Sequence, residues 1–147
     1  MSGIHIDEFY GDATRTITSL YSVFPRPVTL FAEDICGPDD PDEYGVHSNR
    51  FLACFATMLW LGEEGYIRYH DTIRQEAIDQ AVLSGRCFAA LLSRAPNLAS
   101  VHKQENLPAS VQAHQATIIH QLEQALKSKS STTIQSAFVP LLEQMAR

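Results

Sequence analysis

Between Phe9 and Phe24 the apolar residues Phe9, Tyr10, Ala13, Ile17, Leu20, Tyr21 and Phe24 recur at helical spacing. That pattern predicts a first helix, with Asp7 as its N-cap. Pro25 ends it, and Pro25-Arg26-Pro27-Val28 must run extended, because proline fixes its own φ and disfavours helix in the residue before it. Thr29 is placed to cap a short second helix from Leu30 to Cys36, which Gly37 and Pro38 stop. From Gly37 to His47 the chain is polar, acidic and without apolar period, so it reads as an exposed loop.

The widest apolar stripe follows, opened by His47 or Ser48 and made of Phe51, Leu52, Phe55, Met58, Leu59 and Leu61. Its width predicts the central core helix, running out at Gly62 and Gly65. Tyr66 to His70 then alternates large and polar residues, the period-2 mark of a half-buried strand. Ile73 to Leu83 fits a helix or a strand by periodicity. A strand from Ala77 to Leu83 is favoured, because a lone strand at 66–70 would lack a partner, and Asp71 to Glu76 offers a polar hairpin tip. Ser84 caps a short helix holding Phe88, Ala89, Leu91 and Leu92, and a polar linker from Arg94 to Asn106 follows.

Two closing helices are expected. Val111, Ile118, Leu122, Ala125 and Leu126 mark the first, and Ile134, Ala137, Phe138, Leu141, Leu142 and Met145 the second. Lys127 to Thr133 is the turn between them, Thr132 and Gln135 form a capping-box pattern, and Pro140 should kink the last helix. The apolar face of this tail exceeds what the helix at 86–93 can cover, which predicts a homodimer through the C-terminal helices. The competing expectation is that both helices fold back on the first helix and complete one core.

Composition narrows the setting. The chain has 147 residues, 45% apolar and 19% charged, as a folded globular protein does. No apolar run approaches the roughly 20 residues that span a bilayer, and MSGIHIDEF lacks the basic start and apolar stretch of a signal peptide, so no membrane partner and a cytoplasmic setting are expected. Cys36, Cys54 and Cys87 are odd in number and set among apolar neighbours, which predicts free buried thiols. The net charge of -6 is uneven: residues 1–94 hold 14 acids against 7 bases, and residues 95–147 hold 3 against 4. Six of the acids, Glu33, Asp34, Asp39, Asp40, Asp42 and Glu43, fall within eleven residues.

Two words in the chain carry a resemblance. Leu59-Trp60-Leu61-Gly62-Glu63-Glu64-Gly65-Tyr66-Ile67-Arg68 is similar to the end of a recognition helix entering a wing, and Ala81-Val82-Leu83-Ser84-Gly85-Arg86 to the wing's exit. Together with the element order, they make residues 9–93 resemble the winged-helix variant of the helix-turn-helix domain. The resemblance implies an α+β, mainly helical fold with a two-stranded wing, residues 1–94 forming that domain and 95–147 a C-terminal helical extension. It further implies a DNA-binding transcriptional regulator in which His47, Ser48, Asn49 and Arg50 face a major groove while Arg68, His70 and Arg74 reach phosphates.

Two features point to the alternative, an acidic winged-helix module that binds protein and not DNA. The loop before the reading helix carries four acids between Asp39 and Glu43, where negative charge repels phosphate, and Trp60 suits a protein contact. Catalytic, metal and cofactor chemistry is not expected. The run Asp40-Pro41-Asp42-Glu43-Tyr44-Gly45 has a glycine where a calcium loop needs one, but Tyr44 and Phe51 stand where carboxylates belong. His114 and His120 are six apart, which on one continuous helix turns them away from each other. Cys54 beside His47 falls inside an apolar helix where a thiol is inert. The seven glycines are isolated, so no phosphate loop is formed.

Overall fold

The computed structural model describes residues 3–96 and 107–147. Of the linker expected from Arg94 to Asn106, residues 97–106 lie outside the described residues. The order is α1 (Ile4–Val23), β1 (Val28–Phe31), α2 (Ala32–Cys36), α3 (Asn49–Glu63), β2 (Ile67–Arg68), β3 (Asp71–Ile73), β4 (Ala77–Leu83), α4 (Gly85–Leu92), α5 (Ala109–Gln115), α6 (Ile118–Ser128) and α7 (Ser131–Met145). The fold is α+β and mainly helical.

The sheet is built around β4. On one side β1 pairs antiparallel with it, Leu30 opposite Ile78 and Val28 opposite Ala81. On the other side β3 pairs with its first half (Thr72 opposite Ile78) and β2 with its last residues (Ile67 opposite Leu83). The register against β1 slips by one residue between these pairs, and Gln80 there has a φ of 54°. That is a bulge, which bends β4 so that two short strands cover one edge. It also explains the mixed periodicity of this segment, since Asp79 and Gln80 interrupt an otherwise buried strand.

The helix at the centre is α1, not α3. Residues Gly11, Asp12, Ala13, Thr14, Thr16 and Ile17 are buried around its middle, and α1 meets α2, α3, α6, α7 and β4. Small side chains on several faces let neighbouring helices approach from more than one direction, which a single apolar stripe does not. The helix begins five residues before Phe9; Gly3 is its N-cap and Asp7 lies in its first turn. Thr29 does not cap α2 but sits in β1, where its hydroxyl donates to Asp79 at 2.8 Å. Ser48 and Ser84 do cap α3 and α4, accepting from the Phe51 and Cys87 amides at 3.2 and 3.0 Å.

The tail folds back. Phe138, Leu141 and Met145 of α7 and Ile118, Ile119 and Leu122 of α6 are buried in the same core as Ile17 and Leu20 of α1, and Ile134 of α7 is buried as well. Most of the apolar face that carried the dimer expectation is buried within the chain, while Val111 stays exposed and Ala137 and Leu142 half-buried. Where one helix was expected from Val111 to Leu126 there are two, broken at Ala116 and Thr117. Likewise α6 runs to Ser128, Lys129 takes the left-handed turn (φ 56°), and Ser130, not Thr132, caps α7. Helix α7 continues through the buried Pro140. Arg86 of α4 donates to the carbonyls of Met145 and Arg147, closing the C-terminal end of α7.

Gly62 sets where the hairpin leaves α3. A Cβ at this position would collide with the ring of Tyr69, so the bare backbone lets the β2–β3 corner lie against the helix. Gly62→Ala is expected to cost about 1–3 kcal/mol by overpacking, despite alanine's better helix propensity, and thermal unfolding measures it.

Candidate functional site

The first polar cluster of the molecule joins α1 to α3. Asp12 is only 1% exposed and would be an unaffordable buried charge alone. Arg50, 38 residues away, meets it with two parallel hydrogen bonds of 2.7 and 2.6 Å. Its Nε donates to Glu8 at 2.7 Å, one turn earlier on α1. Arg15 adds a bond of 2.9 Å to Asp12 and another of 2.8 Å to the Ile35 carbonyl, which ties in α2. Hydrogen bonding to Asp12 holds the Arg50 guanidinium well above its ordinary pKa. Sequence spacing carried no sign of the pairing. The available signal was a lone aspartate inside the apolar stripe of α1, which requires a buried cation from somewhere.

A second cluster orders the loop from Gly37 to His47. Asp39 accepts from the Ser48 hydroxyl at 2.6 Å, the Ser48 amide at 3.0 Å and pairs with His47 Nδ1 at 3.0 Å. The Ser48 bonds lower the Asp39 carboxyl below its usual value, so this clasp is charged across neutral pH and weakens only as pH falls through that depressed value. His47 also stacks on Phe51, with ring centroids 4.0 Å apart, and its Nε2 lies 3.8 Å from Glu76 at the hairpin. Asp42 closes the tip by accepting from the Tyr44 and Val46 amides at 2.8 and 2.9 Å. The loop so held displays Tyr44 at 82% exposure and Val46 at 54%, with Asp40, Asp42 and Glu43 exposed around them.

The residues expected to face DNA are thus placed differently from one another. His47 and Arg50 are engaged by acids, Ser48 is a helix cap bonded to Asp39, and Asn49 is exposed at the first turn of α3. Arg68, His70 and Arg74 are exposed along the hairpin, Arg74 at its turn with a φ of 55°. Asp71, Glu76 and Asp79 accompany them there. The structure therefore brings His47, Ser48 and Arg50 into acidic contacts and leaves Arg68, His70 and Arg74 exposed on the hairpin.

Trp60 is half-buried. It meets Phe9 edge-on at 5.2 Å and Tyr66 at 5.6 Å, and with Ile6, Ala56 and Thr57 it lines a shallow apolar groove between α1 and α3. All three cysteines are free thiols. Cys36 and Cys54 both donate to the Ala32 carbonyl, at 3.2 and 3.7 Å, while burial pushes Cys54 far up and Cys87 to about 12. Neither buried thiol is a nucleophile at neutral pH.

No helix among the described residues is long and apolar enough to cross a membrane. Comparison of the chain with protein-family models, with curated proteins and with solved structures gave no match.

Proposed function

We propose that the chain is a winged-helix-like protein-association module whose recognition element is the acidic loop from Gly37 to His47, and that its partner is a basic polypeptide segment bearing apolar side chains. Element order supports the winged-helix part: α1, β1, α2 and α3 are followed by a hairpin whose last strand lies between β1 and β2. One observation carries the functional part. The loop is hydrogen-bonded into a fixed shape that exposes Tyr44 and Val46 among carboxylates, so little ordering entropy remains to be lost on binding. Tyrosine supplies contact area at low entropic cost, and surrounding acids steer a basic partner. Glu33 and Asp34, exposed on the first turn of α2, extend the same acidity. A cytoplasmic setting belongs to this proposal and rests on the three free thiols.

DNA binding is the second reading, favoured by the exposure of Arg68, His70 and Arg74. It would use the hairpin edge, because Arg50 and His47 at the start of α3 already face Asp12, Glu8, Asp39 and Glu76.

One titration series separates the two. The full chain is titrated with a labelled Lys/Arg-rich peptide containing leucines, with an acidic control peptide, and with a random 20-base-pair duplex across a salt range. Binding of the basic peptide is expected, weakened about tenfold by Tyr44→Ala, the scale of an interface hot-spot residue. Glu43→Gln and Asp40→Asn should reduce it less and mainly at low salt. Duplex binding with a steep salt slope, abolished by Arg68→Ala and Arg74→Ala, would replace this reading by the DNA one.

A further inference from the structure

On one continuous helix a separation of six residues places two side chains about 120° apart around the axis. His114 and His120 would then point away from each other. The break between α5 and α6 reverses this. Thr117 is extended (φ -81°, ψ 157°), its hydroxyl donates to the His114 carbonyl at 2.6 Å, and it accepts from the His120 amide at 3.3 Å. One threonine thus ties the backbones of both histidines together. The chain leaving α4 pins the corner from the other side: the Ala95 amide donates to Ala116 at 2.9 Å, and the Ile118 amide to Ser93 at 3.0 Å. Gln121 adds a bond of 3.1 Å across the corner to the Gln115 carbonyl.

The result is a cluster from two elements. The imidazoles stand 5.6 Å apart between centroids at 73° to one another. Glu123 lies three residues beyond His120 on the same face of α6, and one donor atom from each of the three falls within 4.8 Å of the others. Around a tetrahedral ion with bonds near 2.0–2.1 Å, donors sit roughly 3.3 Å apart, so the three side chains would have to draw together on binding. Two imidazoles and a carboxylate are the donor types of zinc-class ions, whereas calcium and magnesium require mostly oxygen donors. Burial and the neighbouring His114 lower His120 from its usual pKa, against the opposing charge of Glu123.

We infer that His114, His120 and Glu123 form a binding site for one divalent zinc-class metal ion, with a fourth position open to water. The site does not depend on the loop proposed to bind a partner. Its structural effect follows from α5, which buries none of its own residues. Metal bridging His114 to α6 fastens that helix to the body. Lys127, one turn beyond Glu123, brings a positive charge near His120 that opposes a bound cation.

The test uses the full chain, stripped of metal with a chelator and titrated with zinc chloride by calorimetry. Cobalt(II) serves as a spectroscopic probe of tetrahedral coordination. A stoichiometry of one is expected, with no heat from magnesium or calcium. His114→Ala and His120→Ala should each weaken zinc at least about tenfold, the scale that even outer-shell losses reach, and Glu123→Gln should abolish the tetrahedral cobalt bands. Lys127→Gln should tighten binding. All four positions are exposed or half-exposed, and far-UV circular dichroism accompanies each variant to show that the fold is kept. Absence of zinc binding, or binding unchanged in both histidine variants, would overturn the site.

Discussion

Asp12→Ala is expected to lower the free energy of unfolding by about 3 kcal/mol, the low end of the 3–5 kcal/mol typical when one partner of a buried ion pair is removed. Asp12 is itself buried, and it accepts from both terminal nitrogens of Arg50 as well as from Arg15. Its loss leaves Arg15 without a carboxylate partner and Arg50 with Glu8 alone. The low end applies because the Arg50 and Arg15 side chains are 35% and 38% exposed and can turn partly into water. Urea unfolding of Asp12→Ala, Arg50→Met and the double variant forms a cycle. The double variant should be more stable than the sum of the singles implies, since neither charge is left unpaired. A cost below about 1 kcal/mol for Asp12→Ala would mean that the network contributes no more than a surface ion pair does. The same cycle bears on function. Arg50→Ala leaves Asp12 buried with Arg15 as its remaining cation, so weakened binding in that variant must be weighed against partial unfolding. Arg68→Ala and Arg74→Ala alter exposed side chains and carry no such burden.

The parts of this fold that were legible in the sequence are those decided by a few adjacent residues. Ser48 and Ser84 announce their helices because a cap acts within one turn. Gly37 ends α2 with a φ of 93°, a conformation few residues other than glycine adopt freely. Strand β4 read both ways because the Gln80 bulge breaks its alternation, and only the need of a partner strand decided it. What stayed hidden was set by contacts distant in sequence. The corner at Thr117 is held by Ser93 and Ala95, so nothing in residues 111–126 says that the apolar period is cut in two. His114 and His120 meet only because of that cut. Asp12 and Arg50 join across 38 residues, which no local pattern encodes. Their pairing changes the reading of the start of α3, since an arginine that looked free for a base edge is holding two helices together.

Phe138→Ala is expected to destabilise the chain by about 3–5 kcal/mol, the usual cost of deleting a buried phenylalanine side chain. The ring is fully buried and stands among three aromatic neighbours from two other parts of the chain. Phe9 and Tyr10 of α1 lie 6.1 and 5.9 Å from it, and Tyr66 at the entry to β2 lies 6.4 Å away, near-parallel at 15°. A cavity there would loosen α7 from α1 and from the hairpin at once, because no single neighbour can move to fill it without leaving another. The tail is therefore part of the core of the preceding elements, and a chain cut after residue 94 should expose Ile17, Leu20 and Tyr66 and fail to unfold cooperatively. Chemical denaturation of Phe138→Ala, beside a truncated chain ending at Arg94, measures both. Phe138→Leu keeps most of the volume and should lose less, about 1–2 kcal/mol. If the truncated chain instead unfolded in one sharp transition at the parent's midpoint, the tail would be an appendage, and its apolar face would again be available to a second copy of the chain.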